Sequence, residues 1–324
     1  MGGGRYDYEE HQAATTARAG LGAGEVFTQN ACHADLNPLG VHVRESRDSD
    51  NHPDSLSIVF ALDVSGSMGE IPVQLATRTM PGFMKAVTTV VPDPQVLFMA
   101  VGCAFCDRSA LQVGQFESES SLIDKWLGML HLEGGGGWRG ESYDLAMYFA
   151  ARHTVIDCHA KRGRRGYLFM TGDEVFFMRL QPHTVKQWIG DDLKEELSIV
   201  ELTDELVRRY RTFFLIPDQK RADTDGCGYA WRMLLGDCVI VLGHPDDTAA
   251  AAALLVGICE GQLRDVESLY AKAERELGYR DVGEQQRLIA AVQPYLEAIL
   301  KGGGEPPSGP RPGLTEVPAQ RQAG

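Results

Sequence analysis

The sequence predicts an α/β protein with a parallel sheet at its centre. Short, almost continuous apolar runs lie at residues 56–62, 96–102 and 167–170. Runs of this length that are rich in β-branched and aromatic residues are typical of strands buried on both faces, as at the centre of a parallel sheet. Between them, apolar residues recur at helical spacing over residues 71–91 and 122–132.

Three oxygen-bearing side chains follow the first apolar run. Asp63, Ser65 and Ser67 alternate along the chain, and Gly66 allows a tight backbone turn between the two serines. Ligands of open parallel sheets bind beyond the carboxyl ends of the strands, and oxygen ligands suit a hard cation such as Mg²⁺. The pattern therefore predicts a metal site. An ordinary turn in which Ser67 or Asp63 caps the next helix fits the same residues.

Residues 63–68, D-V-S-G-S-M, resemble the metal-ion-dependent adhesion site of von Willebrand factor A (vWA) domains, in the form found in intracellular bacterial proteins. The resemblance covers about residues 55–260. It implies a doubly wound, mostly parallel sheet with helices on both faces, to which this chain adds C-terminal helices. It also implies a site that holds Mg²⁺, or Mn²⁺, and keeps one coordination position for an acidic group on a partner.

A run of four glycines at residues 134–137 predicts a loop whose backbone can approach a ligand closely. The residues after it do not match a phosphate-binding loop. In vWA domains this loop delivers a threonine ligand, but Gly137 or Trp138 stands at that position here. Glu141 and Ser142 resemble a variant of the loop, so one of them, or water, would complete the metal shell. Both residues also suit the start of a helix.

Asp173 follows the third apolar run and, by the resemblance, is the final acidic residue of the metal site. Loops around the site would supply partner specificity, with Gly137, Trp138 and Glu174 as contact residues. The apolar residues 175–178 lie beside them in the sequence. They either belong to a partner surface or pack inward.

The predicted organisation divides the chain into four parts. The first part is polar, rich in Gly and Ala and aperiodic, and the last is rich in proline, so both are expected to lack fixed structure. The parts are a flexible arm at 1–35, a vWA-like domain at 36–262, helices at 263–300 and a disordered tail at 301–324.

Three local predictions concern the edges of the domain. Residues 40–45 are expected to form a half-exposed strand that pairs with residues 56–62 as a hairpin, or follows that strand along a sheet edge. Residues 191–199 are expected to be helical. Thr203 is expected to cap the helix that follows it.

Composition limits the possible partners and the compartment. The 324 residues carry a net charge of −14, which disfavours binding to nucleic acid and to anionic membrane surfaces. The seven cysteines are scattered and odd in number, unlike a disulfide framework. Without a recognisable signal peptide or membrane span, a cytoplasmic setting is expected. Cys103 and Cys106 are interpreted as packed thiols rather than as a zinc or redox pair.

These observations favour a divalent-metal-dependent protein-binding module over an enzyme. The partner would present an Asp or Glu carboxylate to the metal, and the resemblance implies an adaptor or scaffold that works with a MoxR-type AAA+ ATPase. A metal-free scaffold is the alternative, because the site threonine is missing. A metal-dependent hydrolase is disfavoured because His131, His153 and His183 stand in no catalytic motif.

Overall fold

A six-stranded, mostly parallel sheet forms the centre of the protein in this computed structural model, which describes residues 4–134, 140–309, 311 and 314. The strands are β1 Arg44–Ser46, β2 Ser55–Asp63, β3 Asp93–Val101, β4 Leu111–Val113, β5 Thr154–Ile156, β6 Gly166–Thr171, β7 Arg179–Leu180, β8 Leu197–Ser198, β9 Tyr210–Ile216 and β10 Val239–Val241.

The order of the central sheet is β10–β9–β6–β2–β3–β4, and β4 pairs antiparallel with β3 at one edge. The chain passes from β2 to β3 and β4 on one side, then crosses to β6, β9 and β10 on the other. The strand order therefore reverses between β2 and β6. In open α/β sheets this reversal leaves a crevice beyond the carboxyl ends of the two strands, where ligands bind.

Helices surround the sheet. Their bounds are α1 Tyr8–Ala17, α2 Ala23–Val26, α3 Glu70–Gln74, α4 Met80–Thr88, α5 Ser120–Gly128, α6 Tyr143–Arg152, α7 Asp157–Arg162, α8 Pro182–Trp188, α9 Ile199–Leu206, α10 Gln219–Asp223, α11 Cys227–Leu235, α12 Thr248–Cys259, α13 Val266–Arg275 and α14 Val282–Leu300. Within the part of the chain that the structure describes, no helix is long and apolar enough to cross a membrane.

Both faces of the sheet are covered by helices. Phe213 and Phe214 are neighbours on β9, so their side chains point to opposite faces. The ring of Phe213 lies 5.0 Å from that of Tyr295 on α14. The ring of Phe214 lies 5.4 Å from Tyr143 on α6 and 3.7 Å from Trp231 on α11. This two-sided burial explains why all nine residues of β2 are buried, and it confirms the predicted doubly wound α/β class.

The predicted helical pattern at residues 71–91 is divided between two helices, α3 and α4. A π-helical turn, Leu75–Thr79, connects α3 to α4. Pro81 lies in the first turn of α4, where the missing N–H costs least. The Thr79 hydroxyl also donates to the Gln74 carbonyl oxygen at 3.2 Å, so a side chain at the end of the turn bonds back to its start.

The predicted hairpin between residues 40–45 and β2 is wrong. β1 pairs in parallel with β5, with Arg44 opposite Thr154. The Arg44 N–H donates to the His153 carbonyl oxygen at 2.7 Å. The sequence showed the strand character of this segment, but its partner lies more than a hundred residues further along the chain.

The boundary of α9 also differs from the prediction. Residues 191–196 are not helical, and Ser198 is the N-cap, in a capping box with Glu201. Thr203 lies inside the helix, where its hydroxyl donates to the Ile199 carbonyl oxygen at 2.7 Å. The sequence alone does not distinguish the two positions, because a threonine hydroxyl can bond backbone N–H groups at the start of a helix or the carbonyl oxygen four residues earlier inside it.

The N-terminal segment is not the flexible arm that its composition predicts. Asp7 caps α1 by accepting the Glu10 N–H at 2.9 Å. His11 is fully buried and lies 3.1 Å from a carboxylate oxygen of Asp124 on α5, and Arg18 pairs with the same oxygen at 2.7 Å. The anchor is polar and long-range, so an apolar periodicity could not have revealed it.

The C-terminal helices are present as predicted, but the described residues that follow them are ordered against the domain. Glu305 pairs with Arg165 at 2.6 Å and with Arg211 at 3.0 Å. Arg311 is buried and lies 3.0 Å from Asp204. The prediction of a disordered tail is therefore wrong for residues 301–309, 311 and 314, and its other residues lie outside the described part.

Candidate functional site

Four of the predicted residues meet beyond the carboxyl ends of β2 and β6, the neighbouring strands between which the strand order reverses. Asp63 is the last residue of β2, and Asp173 lies two residues beyond β6. The hydroxyl oxygens of Ser65 and Ser67 are 3.3 Å apart, and the Ser67 hydroxyl donates to the Asp173 carboxylate at 3.2 Å. We call Asp63, Ser65, Ser67 and Asp173 the strand-end cluster.

Asp63 shapes the loop that carries the serines. One of its carboxylate oxygens accepts the Ser65 N–H at 2.8 Å, which folds the chain back directly after β2. Asp63 itself is fully buried. Burial raises the pKa of Asp63 to about 6, although hydrogen bonds from Ser65 and Tyr143 act in the opposite direction. The site therefore contains a carboxylate that pays a desolvation cost when it is charged.

Tyr143 is a site residue that the sequence did not reveal. It is buried at the start of α6, and its hydroxyl donates to the second carboxylate oxygen of Asp63 at 2.6 Å. A Cβ atom on Gly172 would lie 2.0 Å from that hydroxyl oxygen, so a glycine next to Asp173 is needed to admit the tyrosine. In the sequence Tyr143 has the position of an ordinary core residue on an amphipathic helix.

Glu141 lies close enough to the strand-end cluster to interact with the charges of Asp63 and Asp173. One of its carboxylate oxygens has no hydrogen-bond partner among the described residues. The residue is 4% exposed, and its backbone bridges to Phe176 in the loop after β6. Burial raises the pKa of Glu141 to about 9, and the charges of Asp63, Asp107, Glu174 and Asp173 add to the effect. A buried, unpartnered carboxylate oxygen among other acidic groups is the environment that a cation would stabilise.

Ser142, which the sequence offers with Glu141 as a metal ligand, makes hydrogen bonds to other parts of the chain. It is fully buried, and its hydroxyl oxygen accepts the Ala104 N–H at 2.9 Å. Its own N–H donates to the Gly102 carbonyl oxygen at 3.0 Å. Ser142 precedes α6 without a side-chain capping bond. Its contacts tie the start of α6 to the loop after β3 rather than joining the strand-end cluster.

The loop after β3 carries Asp107 and the two neighbouring cysteines. A carboxylate oxygen of Asp107 accepts the Cys103 N–H at 2.7 Å and so closes the turn. Both cysteines are free thiols, with Cys103 buried and Cys106 exposed. Burial raises the pKa of both thiols, so neither is poised as a thiolate.

Arg221 is the second site residue that the sequence did not reveal. Its guanidinium donates to the Ser67 carbonyl oxygen at 2.9 Å. Its Nε atom lies 3.5 Å from Asp173 and 3.6 Å from Asp218. Arg221 lies on the short helix α10, and the Asp218 side chain caps this helix by accepting the Arg221 backbone N–H.

The expected partner-contact residues are only partly described. Gly137 and Trp138 lie outside the described residues. The Glu174 carbonyl oxygen accepts the Trp231 indole N–H at 3.0 Å. Of the apolar residues beside it, Val175 and Phe176 are buried, Phe177 is half-buried and Met178 is exposed. The segment thus packs inward at its start and reaches solvent at its end.

The donor set matches a hard cation better than a soft one. Over residues 4–134 and 140–309, no group of three or more His, Cys, Asp and Glu side chains is arranged to hold a metal. A metal here would therefore need the serine hydroxyls together with the carboxylates. Oxygen-only donors of this kind fit Mg²⁺ or Mn²⁺, and the unpartnered oxygen of Glu141 is consistent with a cation nearby.

Comparison of the sequence finds no matching family model and no matching curated protein. Solved structures give distant matches. One is proximal thread matrix protein 1 from the mussel byssus, at 10% identity and a TM-score of 0.37, covering 65% of this chain and 50% of that one. Another structure of that protein, with the same identity, coverage and TM-score, has a "zinc occupied MIDAS motif".

The pilus adhesin SpaC from Lactobacillus rhamnosus GG, in an open conformation, is also similar. It matches at 10% identity and a TM-score of 0.41, over 70% of this chain and 31% of SpaC. The chain thus spans about half of the mussel protein and about a third of the adhesin.

Proposed function

We propose that this protein is a divalent-metal-dependent protein-binding module of the vWA type. The observation that carries the proposal is the strand-end cluster, in which Asp63, the loop after β2 and the loop after β6 meet in the crevice where the strand order reverses. The unpartnered carboxylate oxygen of Glu141 beside it adds independent support.

Each residue of the site has a role in the proposal. The hydroxyl oxygens of Ser65 and Ser67 are the direct ligands, and Asp173 orients the Ser67 hydroxyl. Asp63 orients the loop through the Ser65 N–H and is itself held by Tyr143. Bound Mg²⁺ or Mn²⁺ would supply positive charge and an open coordination position for an acidic group. Glu141 takes the place of the missing threonine.

The partner in this proposal is a protein that presents an Asp or Glu carboxylate. Exposed apolar side chains near the site suit a protein surface, since binding interfaces combine a polar centre with apolar contacts. Phe105 is 49% exposed and lies edge-to-face against Phe177 at 5.1 Å, and Met178 is 39% exposed. Glu174 would border the same surface.

The biological setting that we propose follows from the vWA resemblance of residues 63–68. An intracellular bacterial protein of this kind would act in the cytoplasm as an adaptor or scaffold for a MoxR-type AAA+ ATPase. Co-purification with such an ATPase in the presence of Mg²⁺, and its loss on adding EDTA, would support this part of the proposal. A metal-independent association would contradict it.

Metal binding is tested by calorimetric titration of Mg²⁺ and Mn²⁺ into the wild type and Ser67→Ala. We expect Ser67→Ala to weaken binding by at least about tenfold, the effect of losing even an outer-shell partner. Metal should also raise the melting temperature of the wild type, because it binds the folded state. Ser121→Ala is the matched control, since Ser121 is also an exposed serine bonded to a carboxylate, that of Glu119.

Two outcomes would contradict the proposal. Equal metal uptake by the wild type and Ser67→Ala would place the metal elsewhere, and no uptake by either would favour a metal-free scaffold. Metal-dependent turnover of phosphoester or peptide substrates that disappears in Ser67→Ala would instead support a hydrolase. In the structure, the Nδ1 atoms of His131 and His153 donate hydrogen bonds to the backbone carbonyl oxygens of Gln29 and Val41, respectively.

A further inference from the structure

We propose that Arg221 acts as a resident cation of the site, which stabilises the strand-end cluster without metal and weakens its affinity for a divalent ion. The inference deepens the proposed function and rests on it for the metal-binding half. The other half concerns the metal-free protein and stands independently of any ligand.

The geometry places the guanidinium directly beside the cluster. Its Nη2 atom donates to the Ser67 carbonyl oxygen at 2.9 Å, and its Nε atom lies 3.5 Å from the Asp173 carboxylate. The other oxygen of that carboxylate accepts the Ser67 hydroxyl at 3.2 Å. Arg221 therefore contacts both segments that form the cluster, the loop after β2 and the loop after β6.

Asp218, three residues before Arg221, holds the arginine in this position. The Asp218 carboxylate accepts the Arg221 backbone N–H at 2.9 Å and lies 3.6 Å from its Nε atom. The side chain is 28% exposed. Its position is thus set by a helix cap and two ion pairs, and it is only partly screened by water.

The acidic residues around the site repel one another, so the positive charge of Arg221 affects the stability of the site. Asp63, Asp107, Asp173 and Glu174 all act on Glu141 as like charges. Without metal, the guanidinium offsets part of this repulsion and joins the two loops. With metal, the same positive charge opposes a divalent ion at the cluster. For charges of +1 and +2 separated by about 6 Å in water, the repulsion weakens binding about tenfold.

Substitutions of Arg221 can distinguish the effect of its charge from the effect of its contact with the Ser67 carbonyl oxygen. A lysine at position 221 keeps the positive charge but lacks the planar fork of donors that reaches Ser67 and Asp173 together. A glutamine removes the charge. The two substitutions therefore distinguish an electrostatic effect on the metal from a positioning effect on the loop.

The experiment compares the wild type, Arg221→Gln and Arg221→Lys by two measurements: the melting temperature in EDTA and the affinity for Mg²⁺ by calorimetry. Arg221→Gln should melt at a lower temperature in EDTA and bind Mg²⁺ about tenfold more tightly. Arg221→Lys should also melt lower but keep an affinity within about threefold of the wild type, because the charge remains.

Arg152→Gln is the matched control. Arg152 is about one-third exposed and makes a two-point ion pair with Glu205 at 2.9 and 2.7 Å, at the end of α6 that is remote from the site. It should lower the melting temperature in EDTA without changing Mg²⁺ affinity. An affinity in Arg221→Gln equal to or weaker than that of the wild type would overturn the proposal.

The experiment distinguishes a failure of the proposed metal-binding function from a failure of the role proposed for Arg221. If neither the wild type nor any variant binds Mg²⁺, the proposed function fails, while a lower melting temperature of Arg221→Gln in EDTA still supports the ion-pair role. If the wild type binds Mg²⁺ but Arg221→Gln matches it in both measurements, the proposed function stands and the resident cation is wrong.

Discussion

The hydrogen bond from Tyr143 to Asp63 is the contact on which the rest of the site is built. Asp63 is fully buried and charged only at a desolvation cost, and Tyr143 donates to it over 2.6 Å. The Ser65 N–H satisfies the other oxygen. A buried carboxylate needs such donors on every side, because an unpaired polar atom in the interior is costly.

Replacing Tyr143 with Phe should therefore destabilise the protein without changing the packing of the ring. We expect a loss of about 1–3 kcal/mol in the free energy of unfolding, since one buried carboxylate oxygen loses its partner. Denaturant unfolding in EDTA measures the loss, so that metal does not contribute.

Tyr148→Phe is the control for the Tyr143 prediction. Tyr148 lies on the same helix and donates to Asp191, whose side chain is 37% exposed and can turn to water. A loss in Tyr148→Phe as large as that in Tyr143→Phe would show that burial of Asp63 is not the cause.

At the scale of the element, α1 shows how a short helix is recruited to the domain by polar contacts. His11 lies 2.9 Å from the Tyr6 hydroxyl and 3.1 Å from Asp124, and Arg18 donates to the Ala76 carbonyl oxygen at 2.9 Å. A ten-residue helix is marginal in isolation. Its order in this protein must therefore come from its contacts with α4, α5 and the π-helical turn.

Removing the shared carboxylate should release the helix. In Asp124→Ala, we expect a fully buried His11 without its partner to destabilise the docked helix by about 1–3 kcal/mol. Limited proteolysis should then cleave within residues 5–30 faster than in the wild type, while the sheet stays intact. Asp192→Ala is the control, because Asp192 is 89% exposed and also pairs with one cation, Lys186. Equal cleavage rates in the three proteins would contradict this account.

At the scale of the whole molecule, Asp48 connects segments that are distant in the sequence. It lies between β1 and β2, and its carboxylate accepts from Arg162 at 2.8 Å and from the Ser55 hydroxyl at 2.7 Å. Lys161 adds a third donor at 3.2 Å. The hydrogen bond from Arg162 is the largest cause that holds the pKa of Asp48 well below its ordinary value.

This lowered pKa predicts how stability depends on pH. Since the folded protein binds the Asp48 proton less readily than the unfolded chain, the stabilisation is complete above about pH 4, the ordinary pKa of Asp. It is lost progressively as the pH falls below that value. The urea midpoint of the wild type should therefore fall more steeply from pH 5 to pH 3 than that of Asp48→Asn.

Asp48→Asn should also be less stable than the wild type at pH 7, where the charged carboxylate is fully paired. Asp50→Asn is the control, because Asp50 is exposed in the same turn. Parallel pH profiles for the wild type and Asp48→Asn would show that this carboxylate does not contribute to the acid sensitivity.

The predictable part of the site has a local origin. The residues of the strand-end cluster follow buried apolar runs directly in the sequence, and parallel strands bring their carboxyl ends to one edge. The structure accordingly brings Ser67 to within 3.2 Å of Asp173 across 106 residues. Neither Tyr143 nor Arg221 carries such a signal, because a buried tyrosine and an arginine in a polar loop are common in any domain.

The sequence by itself determined the α/β class, the central strands and the oxygen-bearing side chains at the ends of those strands. The strands are recognisable because burial on both faces requires a continuous run of apolar residues. Only the tertiary structure decided the partner of β1, the docking of α1, the support of Asp63 by Tyr143 and the cation beside Asp173. Each of these depends on a polar group meeting its counterpart across a long stretch of chain, as Arg221 meets Ser67 across 154 residues. Periodicity along the sequence records which side chains are buried, whereas the pairing of polar groups depends on their positions in space.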